Sequence, residues 1–170
     1  VKTILLLHIL AVLLSAVCLW SMRHELTEKA TSRAGWALPP ALAITAAAIL
    51  LFVSPGKRFE LWTVAILVGL ALGLGAGVIL KVDKDFERKL VRVQRTWDGV
   101  GAAALLFLLA LARVVTSDLI TRQSGKFGML GAIAAFLATY LAGRVITMRY
   151  YTAPRSIHLD MTKGQRPRTE

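Results

Sequence analysis

Long apolar runs separated by short polar segments dominate the chain, and five of them approach the length needed to cross a bilayer. They cover residues 3–20, 36–54, 61–80, 97–116 and 128–148. A hydrocarbon core of about 30 Å takes roughly 20 helical residues at about 1.5 Å each. Peptide groups in lipid have no water to bond, so each run must be a helix or a strand of a closed barrel. Barrel strands of about 10 residues alternate in polarity, and these runs do not. The pattern predicts an all-α polytopic membrane protein, a bundle of five transmembrane helices. Residues 1–151 form its single transmembrane domain, and 152–170 a flexible polar tail containing Pro154 and Pro167.

The tryptophans support these limits. Trp20, Trp36, Trp62 and Trp97 all fall at predicted span ends, where an indole buries its ring and hydrates its N–H at headgroup level. The Tyr150-Tyr151 pair follows the same logic. Tyr140 lies inside the fifth span, which predicts a hydroxyl bonded to a neighbouring helix. Pro39 and Pro40 are expected in the first turns of the second helix, where a missing N–H costs least.

Composition then restricts the class. Apolar residues make up 56% of the 170, yet the formal net charge is +11 from 21 Lys plus Arg and 10 Asp plus Glu. Such segregation excludes a water-soluble globule and a disordered chain, and one cysteine excludes a disulfide scaffold. With five spans, Lys2, Lys57, Arg58, Arg113, Arg122 and Lys126 fall on one side of the membrane and the other fifteen basic residues on the opposite side. Basic loops stay cytoplasmic, which predicts the N-terminus out and the C-terminus in, with loop 81–96 and the tail cytoplasmic. The expected location is a bacterial inner membrane, with anionic lipid at the cytoplasmic face. Nucleic acid is not an expected partner, because the basic residues are spread over three loops and mixed with acids. A cleaved signal peptide is the alternative for the first span; its apolar stretch is long and Arg23 and His24 follow it, which favours a retained helix. Cys18 follows Val17 rather than a small residue, which disfavours lipidation.

Small residues recur at four-residue intervals. Ala65, Gly69, Gly73 and Gly77 share one face of the third span; Gly131, Ala135, Thr139 and Gly143 share one on the fifth; Gly99 and Ala103 begin one on the fourth. Such faces let membrane helices approach closely, and they predict tight packing among spans three to five. A hinge or a glycine-lined substrate groove is the functional alternative.

Reactive groups are scarce. Apart from Asp98 at the very start of the fourth, no Asp or Glu falls within the predicted spans, so no carboxylate relay is expected. His8 has no second histidine on its side of the membrane, which predicts a neutral, hydrogen-bonded ring rather than a haem or metal ligand. Arg113, about 5 Å from a helix end, and Arg144, near the opposite face, are expected to snorkel to the headgroups. Arg88, Lys89, Arg92 and Arg95, with Arg113, are the expected contacts to lipid headgroups or anions. In loop 81–96, Val82, Phe86, Leu90, Val93 and Trp97 recur at helical spacing, predicting an amphipathic helix on the membrane. Alternation through Leu90-Val91-Arg92-Val93 supports a rival hairpin. No phosphate loop, metal motif or catalytic triad is visible, so neither enzymatic activity nor a cofactor is expected.

The glycine-rich span with Gly69, Gly73 and Gly77, the Val82-Asp83 step, the basic loop with Val91 and Val93, and Trp97 leading to a span that ends in Arg113 resemble the CcdC-like group of small bacterial membrane proteins. The resemblance covers residues 70–114, and Phe86-Glu87-Arg88 stands where that group has a loop glycine. It implies a multi-spanning inner-membrane protein, named from genes near cytochrome c maturation, without an established activity. The sequence therefore points to a non-catalytic membrane protein that packs with itself, as a homo-oligomer, or with a membrane partner. A small oligomeric permease or channel, its path lined by glycine with Thr63, Thr139, Tyr140 and Arg113, is the alternative.

Overall fold

Among the described residues of the computed structural model, five helices are long and apolar enough to cross a membrane: Thr3–Thr27, Gly35–Val53, Phe59–Ile79, Asp98–Thr116 and Met129–Tyr150. They are the apolar portions of α1 (Lys2–Thr27), α2 (Arg33–Val53), α3 (Phe59–Ile79), α4 (Asp98–Thr116) and α5 (Phe127–Tyr150). The structure describes residues 2–27, 31–53, 59–80, 82–85, 90–93, 96–116 and 127–150. The expected five-span architecture is present, its spans all helical; the tail 152–170 lies outside the described residues.

The α1 helix runs seven residues beyond Trp20. Its buried positions are His8, Ala11, Ser15, Cys18, Met22 and Glu25. They recur at alternating three- and four-residue steps, the spacing that keeps one stripe of a helix against its neighbours. Because α1 lies between α2 and α4, that stripe continues to the last turn, where the sequence turns polar.

Small side chains let the helices approach. Ala11, Ala43, Ala47, Ala102, Ala103, Ala110, Ala134 and Ala138 form the interior, with Leu50, Leu106 and Leu141 filling the space between them. Outward positions such as Leu6, Leu13, Phe52 and Leu67 are exposed and apolar, which suits a surface solvated by hydrocarbon, where burial brings no hydrophobic gain.

The α2 helix begins at Arg33, two turns before its prolines, so Pro39 and Pro40 are interior and not in the first turn as expected. A proline inside a membrane helix is tolerated where neighbouring groups satisfy the backbone. The carbonyls that lose their helical donor are those of Gly35 and Trp36, four residues earlier; separately, Pro39 is buried against α1 and its own carbonyl accepts a bond from Cys18 Sγ at 3.3 Å, which ties the two helices together at this point. Trp36 also departs from expectation: it is buried with Met148 and Leu80 rather than facing headgroups.

The most extensive helix pair is α3 with α5. Gly69, Gly73 and Gly77 are buried and meet Phe136 and Thr139, Tyr140, and Arg144 and Thr147 in turn. A Cβ on Gly77 would come 2.6 Å from Thr147 Cβ, and one on Gly143 would come 2.6 Å from the Leu70 carbonyl oxygen. The Thr147 hydroxyl also bridges the seam, 3.1 Å from the carbonyls of Leu74 and Gly143.

Three short strands join the connections. β1 (Thr31–Ser32), β2 (Val82–Asp85) and β3 (Leu90–Val93) form an antiparallel sheet of order β1-β3-β2. Val82 pairs with Val93 and Asp85 with Leu90, while Thr31 pairs with Val91. The amphipathic helix expected from residue 81 to 96 is thus replaced by the rival hairpin. The Leu90–Val93 segment, with its two valines, fits a pleated surface, and pairing with β1 adds the third strand that an isolated hairpin lacks. The β1–β3 pairing also places the α1–α2 and α3–α4 connections at one end of the bundle, as five-fold threading requires.

Candidate functional site: a buried ionic centre

At that same end, three helices bring charged groups together, Glu25 and Arg144 sealed in the interior and Asp98 at its edge with a side chain 37% exposed. Glu25 enters from the last turns of α1, Asp98 from the first turn of α4, and Arg144 from α5. Arg144 and Glu25 are each 1% exposed. Arg144 Nη1 donates to both carboxylate oxygens of Glu25, at 2.9 Å each. Its Nη2 donates to the Thr96 hydroxyl at 2.7 Å, and that hydroxyl donates to Glu25 Oε2 at 3.3 Å. Arg144 Nε lies 3.2 Å from Asp98 Oδ2, a charge contact without the alignment of a hydrogen bond. Tyr140 Oη, one turn earlier on α5, donates to the same Asp98 oxygen at 3.0 Å, as expected of a hydroxyl inside a span.

Each position has a local reason. Glu25 continues the Cys18–Met22 stripe, so burial is imposed by the helix repeat. Asp98 sits where unsatisfied N–H groups at a helix start favour a carboxylate. Tyr140 and Arg144 are four apart and share a face of α5. Gly99 makes the space: a Cβ there would collide with Arg144 Nη1 and lie 2.7 Å from Glu25 Oε2 and 2.8 Å from Met22 Cε.

Two carboxylates share one guanidinium, so the centre carries a formal charge of −1 when all three ionise. Removing a charge from water is costly and is offset only by close pairing with the remaining donors and acceptors filled. Here the Thr96 and Tyr140 hydroxyls supply part of that completion, and Arg144 Nε meets Asp98 by charge alone. The centre joins α1, α4 and α5 as a single polar unit.

A second pair of buried polar residues lies toward the other end of the antiparallel α1–α4 pair. His8 and Arg113 are each 4% exposed, about 25 Å and 22 Å along their helices from Glu25 and Asp98. His8 Nδ1 donates to the Ile4 carbonyl at 2.9 Å, which leaves Nε2 as an acceptor without a hydrogen-bond partner among the described residues. Ser15 and Cys18 lie between, their groups bonded to the carbonyls of Val12 and Pro39.

Several expectations need correction. Acids do lie inside the helical bundle: α1 outlasts its apolar run, which brings Glu25 inside. Arg144 does not snorkel; it turns inward because Glu25 and Asp98 are there to meet it. Arg113 is likewise buried rather than extended to the headgroups, because its position falls on the interior face of α4 with Leu106 and Ala110. Of the small residues singled out, Gly69, Gly73, Gly77 and Gly143 meet across the α3–α5 seam, Ala65 is half-buried, and Gly131 and Ala135 are buried on α5. Gly99 serves the ionic centre. Arg88, Lys89 and Arg95 lie outside the described residues, and Arg92 is placed only as the β3 residue opposite Asp83.

Among the described residues, no three His, Cys, Asp or Glu side chains gather as a metal site. No family model matches the chain, and neither a curated protein nor a solved structure does.

Proposed function

We propose that the protein is a non-catalytic component of a bacterial inner membrane, an accessory or assembly subunit that packs with itself or with a membrane partner. The observation that carries this reading is the commitment of Arg144 to Glu25, Thr96 and Asp98. The strongest polar groups of the interior cross-link three helices of one chain, which suits a rigid body offering its outer apolar surface to another protein. The glycine seam between α3 and α5 supports the same rigidity. The resemblance of residues 70–114 to CcdC-like proteins agrees with this role and adds no activity to it. The fifteen-to-six division of basic residues supports an N-terminus outside and a C-terminus inside. Gentle solubilisation of native membranes, affinity capture and mass measurement test the proposal. A stoichiometric membrane partner, or a multiple of the 18.5 kDa chain, is expected; a monomer without a partner overturns it.

One observation favours a second reading, a small oligomeric permease. His8, Ser15, Cys18 and Glu25 form a polar row down the buried face of α1, and intramembrane polar rows often mark ion pathways. Ion flux in proteoliposomes that Ser15→Leu abolishes would support it, and proteoliposomes as tight as empty vesicles would exclude it.

A further inference from the structure

Between α1 and α4, on the outer surface, lies a groove of about 340 Å³ whose walls include Ala16, Leu19, Val100 and Phe107 and whose lining also takes in Trp20 and Arg23. We propose that this groove seats one anionic phospholipid, with an acyl chain along the apolar walls and the phosphate on Arg23. The inference rests on the chain being a bundle in a bilayer and not on an accessory role.

Three observations select this occupant. The walls are apolar and open to the surface that lipid covers, so the medium beside them is acyl chain. Phe107 is nine residues into α4, so the groove extends about 13 Å inward from the helix end, which follows a chain descending from a headgroup. Arg23 supplies a positive charge on the same flank of α1, its guanidinium 4.3 Å from the centroid of the exposed Trp20 ring. An indole at headgroup level with a cation stacked on it fixes that guanidinium where a lipid phosphate sits. Among the described residues the nearby acids do not oppose it: Glu25 is turned inward to Arg144, and Asp98 faces Arg144 and Tyr140 on α5.

The full chain, reconstituted with equal phosphatidylglycerol and phosphatidylcholine and released into mild detergent, is read by native mass spectrometry for retained lipid. One phosphatidylglycerol is expected to persist. Arg23→Gln should lower its retention about fivefold, the effect of one basic residue beside an anionic surface. Ala16→Phe should abolish retention by filling the groove. Arg149→Gln, which alters a second arginine near an aromatic ring at the same end, should leave retention unchanged. Equal retention of both lipids, wild-type retention by Arg23→Gln, or a polypeptide bound in the groove would each overturn the proposal. Lipid retention and partner capture are separate readouts, so failure of one is distinguishable from failure of the other.

Discussion

Arg144 and Glu25, 119 positions apart in sequence, meet at 2.9 Å inside the bundle, with both side chains essentially sealed from solvent. The contact ties the first helix to the last. Since α1 otherwise leans chiefly on α2 and α4, it is the polar link that closes the arrangement.

Room for that link comes from Gly99. Gly99→Ala should destabilise the protein by about 1–3 kcal/mol, the usual result of forcing a methyl group into a filled site. Gly101, two residues on, faces open space, so Gly101→Ala should be neutral or stabilising by up to about 1 kcal/mol. Thermal unfolding of both variants in mild detergent checks the contrast.

The α3–α5 seam predicts a similar asymmetry. Gly73 is closed in by the backbone of Tyr140, whereas a Cβ on Gly75 meets nothing within 4 Å. Gly73→Leu should separate the helices and lower yield of folded protein sharply; Gly75→Leu should purify like the wild type. Size-exclusion profiles of the two variants decide it, and equal profiles would remove the seam from the account.

Tyr140 completes Asp98 by one hydrogen bond at 3.0 Å. Tyr140→Phe keeps the ring and removes the donor. It should cost about 1–2 kcal/mol, less than any loss of Arg144, as measured by unfolding in the same detergent.

Topology is testable independently of stability. A reporter active only outside the cytoplasm should stay dark when fused after Glu170 and become active after residue 57. The reverse pattern would refute the orientation drawn from the basic residues.

Much of the architecture was legible in the sequence because lipid imposes a simple rule on backbone groups, and that rule needs only length and polarity. Spans two to five were placed within a few residues. The ionic centre was not legible, for a physical reason. Glu25 follows a polar turn containing Arg23, so hydropathy ends the first span near Trp20, although the Cys18-Met22-Glu25 spacing continues the buried stripe. That spacing, together with Arg144 inside an apolar run, was the available signal. Without the partner Glu25 in view, snorkelling was the cheaper reading of Arg144. The hairpin was underdetermined because Leu90 and Val93 fit the helical spacing while Val91 and Val93 fit the strand alternation, and the pairing with Thr31 and Ser32 involves residues some sixty positions away.

A double-mutant cycle between Glu25 and Arg144 tests the central claim most directly. Unfolding free energies in mild detergent would be compared for Glu25→Gln, Arg144→Gln and the double variant. If the two groups form a buried pair, Arg144→Gln should cost about 3–5 kcal/mol, because it strands the Glu25 charge, and Glu25→Gln somewhat less, because Asp98 still faces the guanidinium. The double variant should then cost far less than their sum, with a coupling of about 2 kcal/mol or more. Small, additive effects would contradict the pairing and with it the ionic centre.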